Sequence, residues 1–395
     1  MSLVYSWKHR TAVAVALGLA SSVLTQPAAA HASADPAPGA ALGVVQGADS
    51  PDAVPGRYIV TLKHGARASG GSVQGSLAGR LTHLGASTYA ARLSDVQARQ
   101  LAADPAVAAV EQDQVVRIDA TQRNPVWNLD RIDQRSRVGS RSFTPMSDGS
   151  SVHAYVIDTG VKITHNEFGG RATYGWDFYD DDANAGDCNG HGTHVAGTIG
   201  GTRYGVAKRV KIVSVRVLNC QGIGFVSDVI DSLNWVTANA VKPAVANMSL
   251  SAGYSPALEL AVQESIDSGI TYAVAAGNAN QNAANYSPSG LPSAITVAAT
   301  DSGDRRASFS NWGSTVDIFA PGVKVRSAYR GSTTATALLS GTSMAAPHVA
   351  GAAAMVLDAA PTYTPQQVRD YLVARSTKGK VINQRYSPDR LLYTP

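Results

Sequence analysis

The larger, C-terminal part of the chain alternates between short apolar runs and stretches in which apolar residues recur with helical spacing. Continuous apolar runs of this length are typical of parallel strands buried on both faces, and the stretches between them predict crossover helices. The predicted strands are 152–157, 210–217, 244–250, 270–276, 294–299 and 316–319. The predicted helices are 191–200, 226–239, 255–268, 343–359 and 365–375. The pattern therefore predicts an α/β domain over 120–395, with a doubly wound, mainly parallel sheet flanked by helices.

A weaker pattern occupies residues 55–119. Residues 58–62 alternate as a strand, 93–101 show helical spacing, and 107–118 are strand-like again. This predicts a small α+β domain. A unit of about 65 residues has a marginal core, so we expect it to need a partner surface.

The N-terminus has the features of an export signal. Basic residues at 8–10 precede an apolar run over 11–24, and the small-residue site at 30–32 follows. The run is shorter than the roughly 20 apolar residues that a membrane-spanning helix needs. We therefore predict a signal peptide at 1–32, a Pro- and Ala-rich linker at 33–54, and a secreted product without a membrane anchor.

Charge and cysteine content narrow the function classes further. The chain has 33 basic and 29 acidic residues, a formal net charge of +4, and only 16% charged residues. The basic residues form no run with interleaved aromatic residues, so we expect no nucleic-acid partner. Both cysteines, Cys188 and Cys220, lie in the exported part, which favours a disulfide bond over two unpaired buried thiols.

Two polar side chains follow predicted secondary structure where chemistry is expected. Asp158 ends the first predicted strand, although an aspartate there is more often a turn or cap residue. His191 lies at the start of a helix in GHGTHVAGTIGG and is a candidate general base, because an imidazole titrates near neutral pH. A packed or capping role is the alternative, which we favour for His194. A zinc site is disfavoured because the two histidines lack the H-E-x-x-H spacing.

Two further candidates, Ser343 and Asn278, lie at a helix start and after a strand. Ser343 lies in SGTSMAAPHVAG, where the positive end of a helix would stabilise a developing oxyanion. Asn278 ends VAAGN just past a predicted strand, and its amide could donate to the same oxyanion. Taken alone, a helix cap and an ordinary turn are the simpler interpretations.

Together the motifs VIDTG, GHGTHVAGT, AVAAGN and GTSMAAPHVAG resemble those of the subtilisin-like serine protease family, in its proteinase K and aqualysin-like branch. The resemblance covers most of residues 120–375. It implies that Ser343 is the nucleophile, His191 the base and Asp158 the carboxylate that orients it. It also implies an oxyanion hole made by Asn278 and the Ser343 backbone N–H.

The same resemblance implies how substrates bind. A polypeptide would lie as an added strand between two backbone segments, and its side chain would enter a pocket between 249–253 and 275–277. The implied substrate-binding residues are Gly222, Ile223, Gly224, Ser249, Leu250, Ser251, Ala276 and Gly277. Where Leu-Gly-Gly is usual in the family, this chain has Leu250, Ser251 and Ala252. We expect broad cleavage after apolar residues of medium size.

The resemblance also implies a cofactor and a processing route. A structural Ca²⁺ would be held by the main-chain carbonyls of Pro292 and Ala294 and by the Asp317 carboxylate, which are the oxygen ligands that calcium prefers. Cys188 and Cys220 match a disulfide of the aqualysin-like enzymes. Residues 55–119 resemble the inhibitory propeptide, so we expect self-cleavage near Ala120 and a monomeric product.

Two other functions are disfavoured by the sequence. A lipase or esterase of the α/β-hydrolase type requires its acid and histidine after the serine and a G-x-S-x-G motif, whereas here the partners precede Ser343. A non-catalytic binding module on the same scaffold is disfavoured because every chemical group is present.

Overall fold

The structure is a computed structural model that describes residues 42–50, 53–63, 81–85, 87–114 and 121–394. The chain divides into two compact units, residues 1–117 and 118–395. The predicted signal peptide, half of the predicted linker and the expected cleavage site near Ala120 lie outside the described residues.

The first unit is an antiparallel sheet with one helix. Its strands are β1 (Ala53–Leu62), β2 (Leu81–Gly85), β3 (Thr88–Arg92) and β4 (Val107–Gln114), in the order β2-β3-β1-β4. Helix α1 (Asp95–Ala102) begins at Ser94, which forms a capping box with Gln97. Its buried residues Ala98 and Leu101 pack with alternate residues of β1, including Tyr58 and Val60.

A nine-stranded sheet organises the second unit. In chain order its strands are β7 (His153–Asp158), β8 (Ala172–Asp177), β9 (Lys211–Arg216), β10 (Ala244–Met248), β12 (Thr271–Ala275), β14 (Ile295–Thr300), β15 (Ile318–Pro321), β18 (Thr377–Lys378) and β19 (Arg390–Leu391). The spatial order is β18-β19-β15-β14-β12-β10-β7-β9-β8, and every pair is parallel except β18 with β19. The carboxyl ends of the parallel strands therefore meet at one edge.

Helices and short hairpins complete this unit. The helices are α2 (Trp127–Ile132), α3 (His191–Gly200), α4 (Val226–Asn239), α5 (Pro256–Asp267), α6 (Thr342–Ala359) and α7 (Pro365–Arg375). Two single-turn 3₁₀ helices span Asn166–Phe168 and Ala283–Asn285. The small strand pairs are β5 (Gln122–Arg123) with β6 (Ser142–Phe143), β11 (Ala252–Gly253) with β13 (Tyr286–Ser287), and β16 (Val325–Ala328) with β17 (Thr336–Leu339).

Both faces of the large sheet are buried, as the continuous apolar runs predicted. One face packs against α3, α6 and α7, and the other against α4 and α5. Strand β7 contributes side chains to both faces. Ala154 and Val156 pack on the face with α3, α6 and α7, and Tyr155 and Ile157 on the face with α4 and α5. The fold class, a doubly wound parallel sheet preceded by a small α+β domain, is confirmed.

The sequence pattern missed the elements that are not continuously apolar. Strand β8 is at the edge of the sheet, and its residues Thr173 and Tyr174 are exposed, so it lacks an apolar run. The β16–β17 hairpin and strands β2 and β3 were also not predicted. Strand β10 ends at Met248, two residues before the predicted end at 250.

A disulfide bond joins Cys188 and Cys220. It connects the segment before α3 to the segment after β9, across 32 positions in the sequence. The alternative of two unpaired thiols is thus wrong. Within the described part of the chain, no helix is both long enough and apolar enough to cross a membrane.

Replacing both cysteines by serine is expected to lower the free energy of unfolding by about 3.5 kcal/mol, because the open chain gains loop entropy when it unfolds. Guanidinium unfolding of Cys188→Ser/Cys220→Ser, compared with the parent, measures this difference. Both proteins should carry Ser343→Ala, which prevents self-digestion during the measurement. An unchanged midpoint would show that the bond contributes nothing to stability.

Candidate functional site

Asp158 and His191 meet at the carboxyl edge of the large sheet. Asp158 is the last residue of β7 and is fully buried, and its Oδ1 lies 2.7 Å from Nδ1 of His191. The Thr159 backbone N–H donates to the same oxygen at 2.7 Å. Close approach of α3 requires glycine at position 192, because a Cβ there would overlap the Gly160 carbonyl oxygen.

Asp187 ties the start of α3 to the end of β7. Its Oδ1 accepts hydrogen bonds from the Thr159 hydroxyl at 3.0 Å and from the backbone N–H groups of Asn189 and Gly190 at 2.9 and 2.8 Å. Its Oδ2 accepts from the Thr193 N–H at 2.9 Å and the Thr193 hydroxyl at 2.5 Å. The sequence offered no signal for Asp187, because it lies four residues before the first residue of α3 and not at the N-cap position, which Gly190 occupies.

Two carboxylates favour the protonated form of His191. Burial lowers its pKa, but the charge and hydrogen bond of Asp158 raise it more, and the charge of Asp187 adds to the increase. The net pKa is above the ordinary value. With Asp158 ionised, Nδ1 of the neutral ring carries the hydrogen and donates it, so Nε2 is the nitrogen that accepts a proton.

The other buried histidines near the site have structural roles. Burial lowers the pKa values of His194 and His348 to about 4, so both rings are neutral. His194 Nε2 lies 3.0 Å from the Val325 carbonyl, and His348 Nδ1 lies 2.8 Å from the Met344 carbonyl. The described residues contain no cluster of three or more His, Cys, Asp or Glu side chains arranged to bind a metal.

Ser343 occupies the first turn of α6 and is half-buried. Its hydroxyl donates to the Ser249 carbonyl at 3.1 Å, and the Ser249 hydroxyl donates to the Ser343 carbonyl at 2.8 Å. In the described structure Ser343 is not hydrogen-bonded to His191. His191 lines one pocket together with Ser249, the residue to which Ser343 is hydrogen-bonded.

Asn278 is fixed by the same helix start. Its Oδ1 accepts from the Thr342 N–H and the Thr342 hydroxyl, both at 2.9 Å. The amide is therefore oriented with Nδ2 free to donate, and the side chain is exposed. The Gly277 N–H donates to the Thr342 hydroxyl at 3.1 Å, which joins this loop to α6.

An open pocket of about 510 Å³ extends from His191 along two backbone segments. Residues 222–224 and 249–251 are among those that line it. Leu218, Phe225, Val229 and Leu258 make the lining largely apolar, and Ile223 and Phe225 leave 63% and 64% of their surface exposed. A chain binding here would cover apolar surface that now faces water.

The pocket that the resemblance implied for a substrate side chain, between 249–253 and 275–277, is bounded by backbone. Ala276 is buried, and Gly277 has φ +100°, a conformation that favours glycine. The fully buried Asn311 shapes this loop: its Nδ2 donates to the Ala276 carbonyl at 2.9 Å, and its Oδ1 accepts from the N–H groups of Ala279 and Gln281. The sequence offered no signal that singled out Asn311.

The residues implied as calcium ligands lie near the start of β14 and β15. Asp317 is buried, and its Oδ2 accepts from the Thr296 N–H at 2.9 Å. Its Oδ1 accepts from Arg369 Nε at 3.0 Å and Nη2 at 2.5 Å. Of the two carbonyl residues, Pro292 is exposed and Ala294 is buried. The donor set consists of oxygens only, which suits Ca²⁺, but its single carboxylate already has a cationic partner.

Comparison with known proteins agrees with this geometry. Residues 149–388 match the protein family described as "Subtilase family". Residues 80–119 match the family described as "Peptidase inhibitor I9". The extracellular serine proteinase of Thermus sp. is 49% identical over 376 residues, which cover 88% of this chain and 92% of the relative. Proteinase R of Parengyodontium album is 42% identical over 345 residues, which cover 85% of this chain and 88% of the relative.

Two further relatives extend the comparison. Alkaline serine exoprotease A of Vibrio alginolyticus is 51% identical over 314 residues, or 78% of this chain, and the chain spans 58% of that relative's length. The crystal structure of a cold adapted subtilisin-like serine proteinase superposes with a TM-score of 0.68 at 53% identity, covering 69% of this chain and 99% of the other.

The chain therefore belongs to the subtilase family. It is a subtilisin-like serine endopeptidase with an N-terminal I9 propeptide inhibitor domain. The resemblance inferred from the four motifs is confirmed, and the lipase and non-catalytic alternatives are wrong.

Asp187→Asn is expected to shift the acidic limb of the kcat/KM profile to lower pH. A carboxylate stabilises imidazolium, so removing its charge lowers the pKa of His191. The neutral ring is the form that accepts a proton, and that form then persists at lower pH. Activity on the alkaline plateau should change by less than about tenfold, because asparagine keeps one of the two acceptor oxygens, which can still bind Thr159, Asn189 and Gly190.

Two variants calibrate this measurement. Asp158→Asn should lower kcat by about four powers of ten, because the ring loses the partner that fixes its tautomer. Asp267→Asn removes a carboxylate at the end of α5 that is not among the charges acting on His191, and its profile should match the parent. An acidic limb that stays in place in Asp187→Asn would contradict the electrostatic role.

Proposed function

We propose that Ser343 is the nucleophile, His191 the general base and then acid, and Asp158 the residue that orients the ring. The observation that carries the proposal is the 2.7 Å contact between buried Asp158 and His191, in a pocket that also reaches the partner of Ser343. The serine lies at the start of a helix, where the backbone N–H groups of the first turn have no partners within the helix.

The proposed reaction is acyl transfer to water. The Ser343 hydroxyl leaves Ser249, gives its proton to His191 Nε2, and forms a bond from Oγ to the substrate carbonyl carbon. The tetrahedral intermediate collapses as the carbon–nitrogen bond breaks, and His191 returns the proton to the leaving amine. A water molecule then repeats the sequence on the acyl-enzyme, with Ser343 as the leaving group.

We assign the oxyanion hole to Asn278 Nδ2 and the Ser343 backbone N–H. Two hydrogen bonds from Thr342 hold the Asn278 oxygen, so the NH₂ group is already oriented before substrate arrives. A donor that needs no reorganisation stabilises developing negative charge most effectively. The positive end of α6 acts in the same direction.

Substrates are polypeptides, and we propose that they bind as a strand between 222–224 and 249–251. Backbone pairing is independent of sequence, which suits an endopeptidase of broad specificity. The apolar lining of the 510 Å³ pocket favours apolar side chains on the acyl side of the cleaved bond.

We further propose that the protein is secreted as a precursor and processes itself. Residues 1–32 would be the signal peptide, 33–54 a linker, 55–119 the inhibitory propeptide and 120–395 the monomeric enzyme. The names of the Thermus and Vibrio relatives, an extracellular proteinase and an exoprotease, support export. The I9 match over residues 80–119 supports the inhibitory role of the leader.

The variant Ser343→Ala is expected to accumulate as the uncleaved precursor, because cleavage near Ala120 requires the nucleophile. Mass spectrometry of the purified protein reports its N-terminus. Ser332→Ala changes an exposed serine in a loop and should be processed like the parent. Processing of purified Ser343→Ala without added protease would refute self-cleavage.

For calcium, we propose that Asp317 binds the ion together with the carbonyl oxygens of Pro292 and Ala294. Asp317 Oδ1 already accepts two hydrogen bonds from Arg369, whereas Oδ2 accepts one, from the Thr296 N–H, and keeps acceptor capacity for a cation. The ion would link the start of β14 to the start of β15. Its role would be structural.

Removing calcium with a chelator is expected to lower the melting temperature by several degrees, because a ligand that binds only the folded state stabilises it by mass action. Asp317→Asn should abolish the response to calcium. Asp304→Asn breaks another buried pair, between Asp304 and Arg131, and should keep the response. Equal melting temperatures with and without the chelator would rule out the site.

A further inference from the structure

The residue whose carbonyl is attacked, called P1, places its side chain in a defined gap. Ser343 Oγ lies 3.1 Å from the Ser249 carbonyl, and the Thr342 N–H lies 2.9 Å from Asn278 Oδ1. A carbonyl carbon bonded to Ser343, with its oxygen at Asn278, therefore lies between segments 249–253 and 275–278. The P1 side chain is only two bonds from that carbon, so it enters the space between these segments, which we call the P1 slot.

One wall of the P1 slot carries no side chain at its narrow point. Gly277 has φ +100°, and a Cβ there would overlap Nδ2 of the buried Asn311. Position 277 therefore has to be glycine, and the wall is bare backbone. The width of the slot at this point depends on the residue that faces Gly277.

Ser251 is the residue that faces it. The position that a Cβ of Gly277 would occupy lies 3.6 Å from Ser251 Oγ. The bond from the Gly277 Cα to that Cβ position would be about 1.5 Å long, so the Ser251 hydroxyl oxygen is at most about 5 Å from the Gly277 Cα. An aromatic ring between two heavy atoms needs about 3.5 Å on each side, or about 7 Å in total. The slot is therefore too narrow for a ring while Ser251 keeps this rotamer.

The neighbouring Ala252 does not have this effect. Its methyl group packs against the apolar cluster of α4 and α5, together with Leu250. Successive residues of an extended segment point to opposite sides, and the pairing of Ala252 with Ser287 fixes the segment in that orientation. Of the two side chains that replace the usual glycines, only that of Ser251 narrows the slot.

We propose that Ser251 is a specificity-determining residue that makes the P1 slot favour side chains of alanine or serine size over aromatic ones, an inference that rests on the proposed acyl-transfer function. Ser251 is exposed, and within the described residues its hydroxyl makes no hydrogen bond that would hold it. It can rotate away for a larger side chain at the cost of a less favourable rotamer. Aromatic P1 residues are thus cleaved more slowly, and specificity stays broad.

The test compares two peptide p-nitroanilides that differ only at P1, Ala-Ala-Pro-Ala and Ala-Ala-Pro-Phe. The parent enzyme should have the higher kcat/KM with alanine. Ser251→Gly should raise the ratio of kcat/KM for the phenylalanine substrate to kcat/KM for the alanine substrate about tenfold, as expected when steric bulk is removed from a pocket.

Two controls separate pocket width from other effects. Ser251→Thr keeps the oxygen and adds a methyl group, so it should lower the rate with phenylalanine further. If Ser251→Gly acted only by making the backbone more flexible, threonine would not be expected to cause this opposite change. Ser302→Gly makes the same substitution in an exposed turn away from the site and should leave the ratio of the two rates unchanged.

The outcomes distinguish this inference from the function on which it rests. Covalent labelling of Ser343 by a fluorophosphonate, with cleavage of the alanine substrate, supports the proposed function by itself. If that activity is present and the ratio of rates in Ser251→Gly stays within twofold of the parent, the role of Ser251 is refuted alone. If the parent neither labels nor cleaves either substrate, both proposals fail.

Discussion

The burial of one negative charge at the end of β7 is the constraint on which the site depends. Asp158 is fully buried, and both of its hydrogen bonds within the described residues go to the same oxygen, one from His191 and one from the Thr159 N–H. A buried carboxylate is costly unless it is paired, so it draws a cation toward it. The charge of Asp158 therefore raises the pKa of His191, and its contact with Nδ1 fixes which ring nitrogen faces the substrate pocket.

Small residues allow the rest of the site to assemble around this pair. Helix α3 approaches β7 only because Gly192 lacks a Cβ, and α6 is buried along most of its length through a series of alanines. The two helices pack on the same face of the sheet. Their first turns carry His191 and Ser343 and lie at the carboxyl edge of the strands. The same packing sets Thr342 against Asn278.

The fold was predictable in proportion to how apolar each element is. Strands such as β10 and β12 are buried on both faces and read as continuous apolar runs, so their positions and type followed from the sequence. Edge strand β8 has exposed polar positions, so its pattern resembles a loop. Asp187 and Asn311 were missed for a related reason. Both are loop residues of the kind that turns contain throughout a chain, and only their hydrogen bonds distinguish them.

The sequence by itself determined the class of fold and the order of the polar residues that follow strands, because each depends on local pattern or on residue chemistry. The tertiary structure alone decided how these positions meet. It placed Asp187 between Thr159 and the start of α3, directed Ala252 into the apolar cluster, and set the Ser251 hydroxyl opposite Gly277. Those relations join residues that are distant in the chain, and their geometry follows from packing the whole sheet and its helices.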